Sequence, residues 1–130
     1  MNKESLRIVL KRKLRKLIRE TELLLSSRKS YTLSEASEIS ERTLEKIKLQ
    51  LKLNSLMLED AKSDEERKEL EEEGKELQAA LTAELMNGLE VLNSLIESFR
   101  RGGMEDRAEE LEILRDVRES ELLELTGEKA

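Results

Sequence analysis

The sequence predicts an all-α fold, a four-helix up-down-up-down bundle forming one domain over residues 1–130. Three observations predict it. Apolar residues recur at spacings of three and four along most of the chain, the pattern that lines one face of a helix. Composition agrees, since 42% of residues are charged, leucine occurs 26 times, proline is absent, and Tyr31 and Phe99 are the only aromatics. Long helices carry this bias, whereas sheets draw on β-branched and aromatic residues. The helical stretches are also joined by short polar or glycine-containing connections, which make successive helices antiparallel neighbours.

The first helix is expected from about residue 3 to residue 27, with Leu6, Leu10, Leu14, Leu17, Ile18, Thr21, Leu24 and Leu25 on one arc. A polar stretch follows. Thr32 and Glu35 then have the spacing of a capping box, so a second helix is expected over 33–61. Its wide core face holds Leu33, Ala36, Ile39, Ser40, Thr43, Leu44, Ile47, Leu51, Asn54, Met57, Leu58 and Ala61. Leu49, Leu53 and Leu56 fall on a separate arc. Between Ile47 and Leu53 apolar and polar residues alternate as in a strand, but strong helix formers surround the stretch and no turn residue bounds it, so helix is predicted.

Ser63 and Glu66 repeat the capping box ahead of a third helix over 64–101. Its core stripe is Leu70, Leu77, Leu81, Leu85, Gly88, Leu92, Leu95, Ile96 and Phe99. At a rise of 1.5 Å per residue this helix is about 55 Å long, against about 36 Å for the first, so it must overhang or bend. Gly74 and Asn87-Gly88 are its candidate weak points, and if the helix bends rather than overhangs, the kink is placed near Gly88. Gly102-Gly103 permits a left-handed cap, and a fourth helix over 104–126 opens with Glu105 and Asp106 favourably placed against its dipole. Met104, Ala108, Leu111, Leu114, Leu122 and Leu125 form its stripe, and Gly127 stops it.

Charge is uneven: residues 1–30 carry a net +7 and the rest of the chain a net −13. On the first helix Lys11, Arg12, Arg15, Lys16 and Arg19 share the side opposite the leucine stripe. Such a face can bind an anionic membrane or nucleic acid. The chain is acidic overall, however, and no aromatic interleaves these cations for base stacking. Glu109, Glu110, Glu112, Asp116 and Glu119 of the fourth helix offer counter-charge, so the expected role is structural, and nucleic acid and membrane are not the favoured partners.

Catalysis is not expected. Histidine and cysteine are both absent, which removes the commonest general base, thiol nucleophiles and the usual metal ligands. Ser26 and Lys29 match the Ser-x-x-Lys spacing of penicillin-binding enzymes, but the companion elements are missing. Thr126 to Lys129 shares letters with a zinc-finger linker and has no ligand to hold zinc. Glu69, Glu71, Glu72 and Glu73 read as a solvated face, so no metal and no cofactor is expected. Ser40, Thr43 and Asn54 on a core face indicate close helix approach, a buried polar network or a pocket, with small-residue packing the expected reason. Leu49, Leu53 and Leu56 fit either a helix wedged between two neighbours or a patch that docks a partner. No secretory signal or membrane-spanning run is read, so a soluble protein, cytoplasmic or recombinant, is expected.

The paired caps at Thr32 with Glu35 and Ser63 with Glu66, the Gly102-Gly103 connection and the absence of Pro, Cys, His and Trp resemble computationally designed helical bundles. The resemblance covers the whole chain and is one of style; Asn54, Asn87-Gly88 and the stray apolar residues Ile8, Leu23, Ile113 and Leu123 depart from it. It implies a scaffold or an engineered binder without a native cellular role; with catalysis not expected, the favoured reading is a non-enzymatic scaffold, and a monomer or homodimer is expected. Two alternatives stand beside it: a partner-binding bundle, cytokine-like or adaptor, that uses an apolar helix face, and a module that binds anionic surfaces through the first helix.

Overall fold

In the computed structural model, which describes residues 2–26 and 32–127, the sequence stripes become four helices: α1 (Lys3–Ser26), α2 (Leu33–Glu59), α3 (Asp64–Arg101) and α4 (Glu105–Thr126). The fold is an all-α four-helix bundle. The Ile47–Leu53 alternation is helical throughout. Among the described residues two boundaries differ from expectation, with α2 ending at Glu59 rather than at residue 61 and α4 starting one residue after Met104; the expected end of the first helix at residue 27 lies outside them.

Caps set these ends. At α2 the box closes in both directions: the Glu35 amide donates to Thr32 Oγ1 at 3.2 Å, and the Thr32 amide donates to Glu35 Oε1 at 3.2 Å. At α3 the Glu66 amide donates to Ser63 Oγ at 3.1 Å, while the return bond comes from the Lys62 amide instead. After α3, Gly103 takes a positive φ of 76°, and the Met104 amide donates to the Phe99 carbonyl at 2.8 Å in a Schellman closure. Gly127, at φ 71°, ends α4 by donating to the Leu123 carbonyl.

Packing divides the chain into two compact units that share α2 and α3. The first comprises Met1–Arg28 and Arg42–Leu81. Its core is built on Leu10, Leu44, Ile47, Leu53, Leu70 and Leu81. Arg7 pairs with Asp60, and Arg42 Nη1 donates to Glu20 Oε2 at 2.8 Å, so α1 runs antiparallel to α2. The second comprises Lys29–Glu41 and Thr82–Ala130, with Leu85, Leu92, Leu95, Ile96 and Ala108 buried. There Arg100 pairs with Glu112 and Arg115 Nη1 donates to Asn93 Oδ1 at 3.5 Å, so α4 runs antiparallel to α3.

The two α3 glycines were the candidate weak points of a helix expected either to overhang or to bend. Helical structure runs unbroken through both, and each glycine meets a polar residue of α2. A Cβ at Gly74 would lie 2.9 Å from Asn54 Oδ1. The corresponding contact at Gly88 is with Ser40. A side chain at either glycine would displace the Asn54 amide or the Ser40 hydroxyl, so the missing Cβ makes room for these two polar groups.

Several expected core positions lie at the surface. Leu33, Met57, Met104 and Leu125 are all exposed. Three of them flank a helix terminus, where a stripe outruns the elements that could cover it. Residues 62–69 are exposed likewise, and Leu70 is the first buried residue of α3.

Candidate functional site

On the basic face of α1, Lys11, Arg12, Arg15, Lys16 and Arg19 are all exposed. Leu6, Leu14, Leu17 and Ile18, on the opposite side, are half-buried and Leu10 is buried. The ion pairs of Glu20 and Arg7 fix the rotation of the helix about its axis, and that rotation turns the cations outward. Two apolar residues lie within this charged face, Ile8 at 52% exposure and Leu23 at 64%. Placed at 100° per residue, Ile8, Arg12, Arg15, Arg19 and Leu23 form a single stripe at spacings of four, three, four and four.

The Leu49, Leu53 and Leu56 arc is placed differently. Leu53 is 7% exposed and belongs to the core of the first unit, and Leu49 and Leu56 are half-buried. The arc therefore serves largely as a second packed face of α2.

Of the three polar residues on the other face of α2, Ser40 and Asn54 are buried and Thr43 is half-buried. Asn54 Nδ2 donates to the Leu70 carbonyl at 2.8 Å, a bond made possible by the close approach at Gly74 one turn later. Asn54 also forms the base of a shallow groove with Leu51, Leu58, Glu71, Gly74 and Gln78. The Ser40 hydroxyl is buried without a hydrogen-bond partner.

In the second unit a half-buried ion cluster joins α4 to α2. Arg118 Nε donates to Glu41 Oε1 at 3.0 Å, Nη2 pairs with the other oxygen of the same carboxylate, and Nη1 pairs with Glu121. The hydrogen bond that Arg118 donates to Glu41 holds its guanidinium above its ordinary pKa, against the opposing effect of burial. A bidentate clamp of this kind fixes orientation as well as distance.

The outer face of α4 is a feature the sequence reading missed. Ile113 is 68% exposed and Val117, one turn on, 48%. Exposed carboxylates at Asp106, Glu109, Glu110, Asp116 and Glu124 surround them. Ile113 alone read as an ordinary stray; the signal was its spacing of four from Val117. Glu69, Glu71, Glu72 and Glu73 are exposed on α3. Of the Ser26–Lys29 match, Ser26 is the last residue of α1 and residues 27–29 lie outside the described residues, as do Glu128 and Lys129. No helix among the described residues is long and apolar enough to cross a membrane.

No protein-family model, curated protein or solved structure matches the chain.

Proposed function

We propose that this chain is a non-catalytic helical-bundle module that works by docking a protein partner through the outer face of α1. The observation that carries the reading is the exposed stripe Ile8, Arg12, Arg15, Arg19 and Leu23, in which apolar residues at both ends flank a cationic middle. A purely solvated face gains nothing from large apolar side chains, whereas a docking face uses them for area and the cations for orientation. The partner that fits is an acidic helical surface with apolar residues between its carboxylates. The residue types of the chain, lacking both histidine and cysteine, support the non-catalytic half of the reading.

The test is binding of a synthetic amphipathic helical peptide, its apolar stripe edged with glutamates, by the full chain and by the triple variant Arg12→Glu, Arg15→Glu, Arg19→Glu. Phosphatidylserine-containing vesicles and duplex DNA serve as competing probes. Peptide binding that vanishes in the variant while its urea midpoint stays at the parent value is expected. Binding only to vesicles or DNA would overturn the protein partner in favour of an anionic surface.

A second reading, a designed scaffold without a native role, is favoured by the reciprocal Thr32 and Glu35 cap and the Schellman closure at Gly103. It requires hyperstability, a thermal midpoint above about 90 °C. An ordinary midpoint, near about 55 °C, would sink it.

A further inference from the structure

We infer that the partner of the α1 face is a second copy of this chain, which presents the outer face of its α4. The inference rests on the docking reading above and adds the identity of the occupant. Three properties of the two faces carry it.

The first is charge. The α1 face carries Lys11, Arg12, Arg15, Lys16 and Arg19 against two carboxylates, Glu4 and Glu22, near its ends, and every charged residue around the α4 apolar pair is a carboxylate. Opposite potentials steer two copies toward this contact, and like charge disfavours α1 against α1 or α4 against α4. The second is apolar content. Ile113 and Val117 form an exposed pair at a spacing of four, the geometry with which a helix inserts side chains between those of a neighbour. Opposite them the α1 stripe offers the methylene stems of its arginines, whose guanidinium groups reach past the apolar pair to the flanking carboxylates. The third is length. From Ile8 to Leu23 the stripe runs about 22 Å, and from Asp106 to Glu124 the acidic face runs about 27 Å, so one covers the other over its full extent.

Each copy owns both faces, so the contact joins two different surfaces, α1 of one copy to α4 of the other. Because both faces are exposed and charged, the contact weakens as salt rises and screens it.

The experiment is sedimentation equilibrium of the full chain over micromolar to sub-millimolar concentration. It compares the parent, the α1 reversal used above, and an α4 reversal, Glu109→Lys, Glu110→Lys, Glu124→Lys. The parent should associate, with affinity falling at least about tenfold between low and high salt. Each reversed variant should be monomeric at a parent-like urea midpoint. Their equimolar mixture should associate again, because each then supplies the face the other lacks. A parent that associates equally well after either reversal, or a mixture that stays monomeric, would overturn the inference. A monomeric parent that still binds the acidic peptide overturns self-association alone; failure of both overturns the docking reading too.

Discussion

A Cβ atom built on Gly88 would stand 2.7 Å from the hydroxyl oxygen of Ser40, with the Ser40 Cβ next nearest at 3.9 Å. The obstacle to a side chain at position 88 is therefore one oxygen atom. That oxygen is itself buried without a hydrogen-bond partner. Gly88→Ala alone should lose about 1–3 kcal/mol through overpacking, in spite of the better helix propensity of alanine. Ser40→Ala should be neutral or stabilising, since it removes an unsatisfied buried hydroxyl. The double variant should exceed the parent, because the new methyl then meets only Cβ at an ordinary distance. Urea midpoints of the four proteins close the cycle, and a double variant weaker than Gly88→Ala would refute this account.

At the second contact, Asn54 donates to the Leu70 carbonyl at 2.8 Å from a site only 5% exposed. Asn54→Asp replaces that donor with a carboxylate oxygen facing a carbonyl. Burial disfavours the ionised form, so the folded pKa of the new group lies above the unfolded value of about 3.9. The folded state then holds its proton more tightly. The cost is absent below the unfolded pKa and develops as pH rises through the folded one. Stability curves of variant and parent should converge in acid and separate toward neutrality; a gap that is constant with pH would count against it.

For the second α2 arc, Leu53→Gln should cost at least about 2 kcal/mol, as expected for a buried leucine made polar. Leu49→Gln and Leu56→Gln, at half-buried sites, should each cost less. If all three midpoints match the parent, the arc is free for a partner and the docking surface belongs there instead of on α1.

Arg118→Ala should cost about 1–2 kcal/mol, between the values for exposed and fully buried pairs, because its side chain is 16% exposed and bidentate to Glu41. The raised pKa of Arg118 means that its contribution is complete below the unfolded value and is lost only as pH rises through the higher folded one. The difference between parent and variant should thus be flat from about pH 6 to about pH 9. A slope across that range would assign the linkage to another group.

Helix bounds were legible because caps are local: Thr32 with Glu35 and Ser63 with Glu66 are each three residues apart, and their hydrogen bonds form inside one turn. Faces were legible too, as Leu81, Leu85, Leu92, Leu95 and Ile96 are all buried. What periodicity cannot supply is which faces meet. Ser40 and Gly88 both read as core positions, yet nothing in either stripe announces that one fills the space the other leaves. The Glu41 and Arg118 clamp joins residues 77 apart in sequence, and no local pattern encodes it. Surface positions such as Leu33 and Met104 failed in the opposite sense, because a stripe continues to the end of a helix whether or not a neighbour does.

Neither compact unit is a continuous stretch of chain, and this imposes an order on synthesis. As the chain emerges from its N-terminus, every segment of the first unit is available once Leu81 has appeared. The opening turns of α2, up to Glu41, belong to the second unit and must wait for residues 82–130. Until α4 arrives, the carboxylate of Glu41 has no Arg118 to clamp, while its sequence neighbour Arg42 already has Glu20. Along α2, the stretch from Arg42 onward thus has its packing partners earlier in synthesis than the opening turns do, and those turns wait for α4.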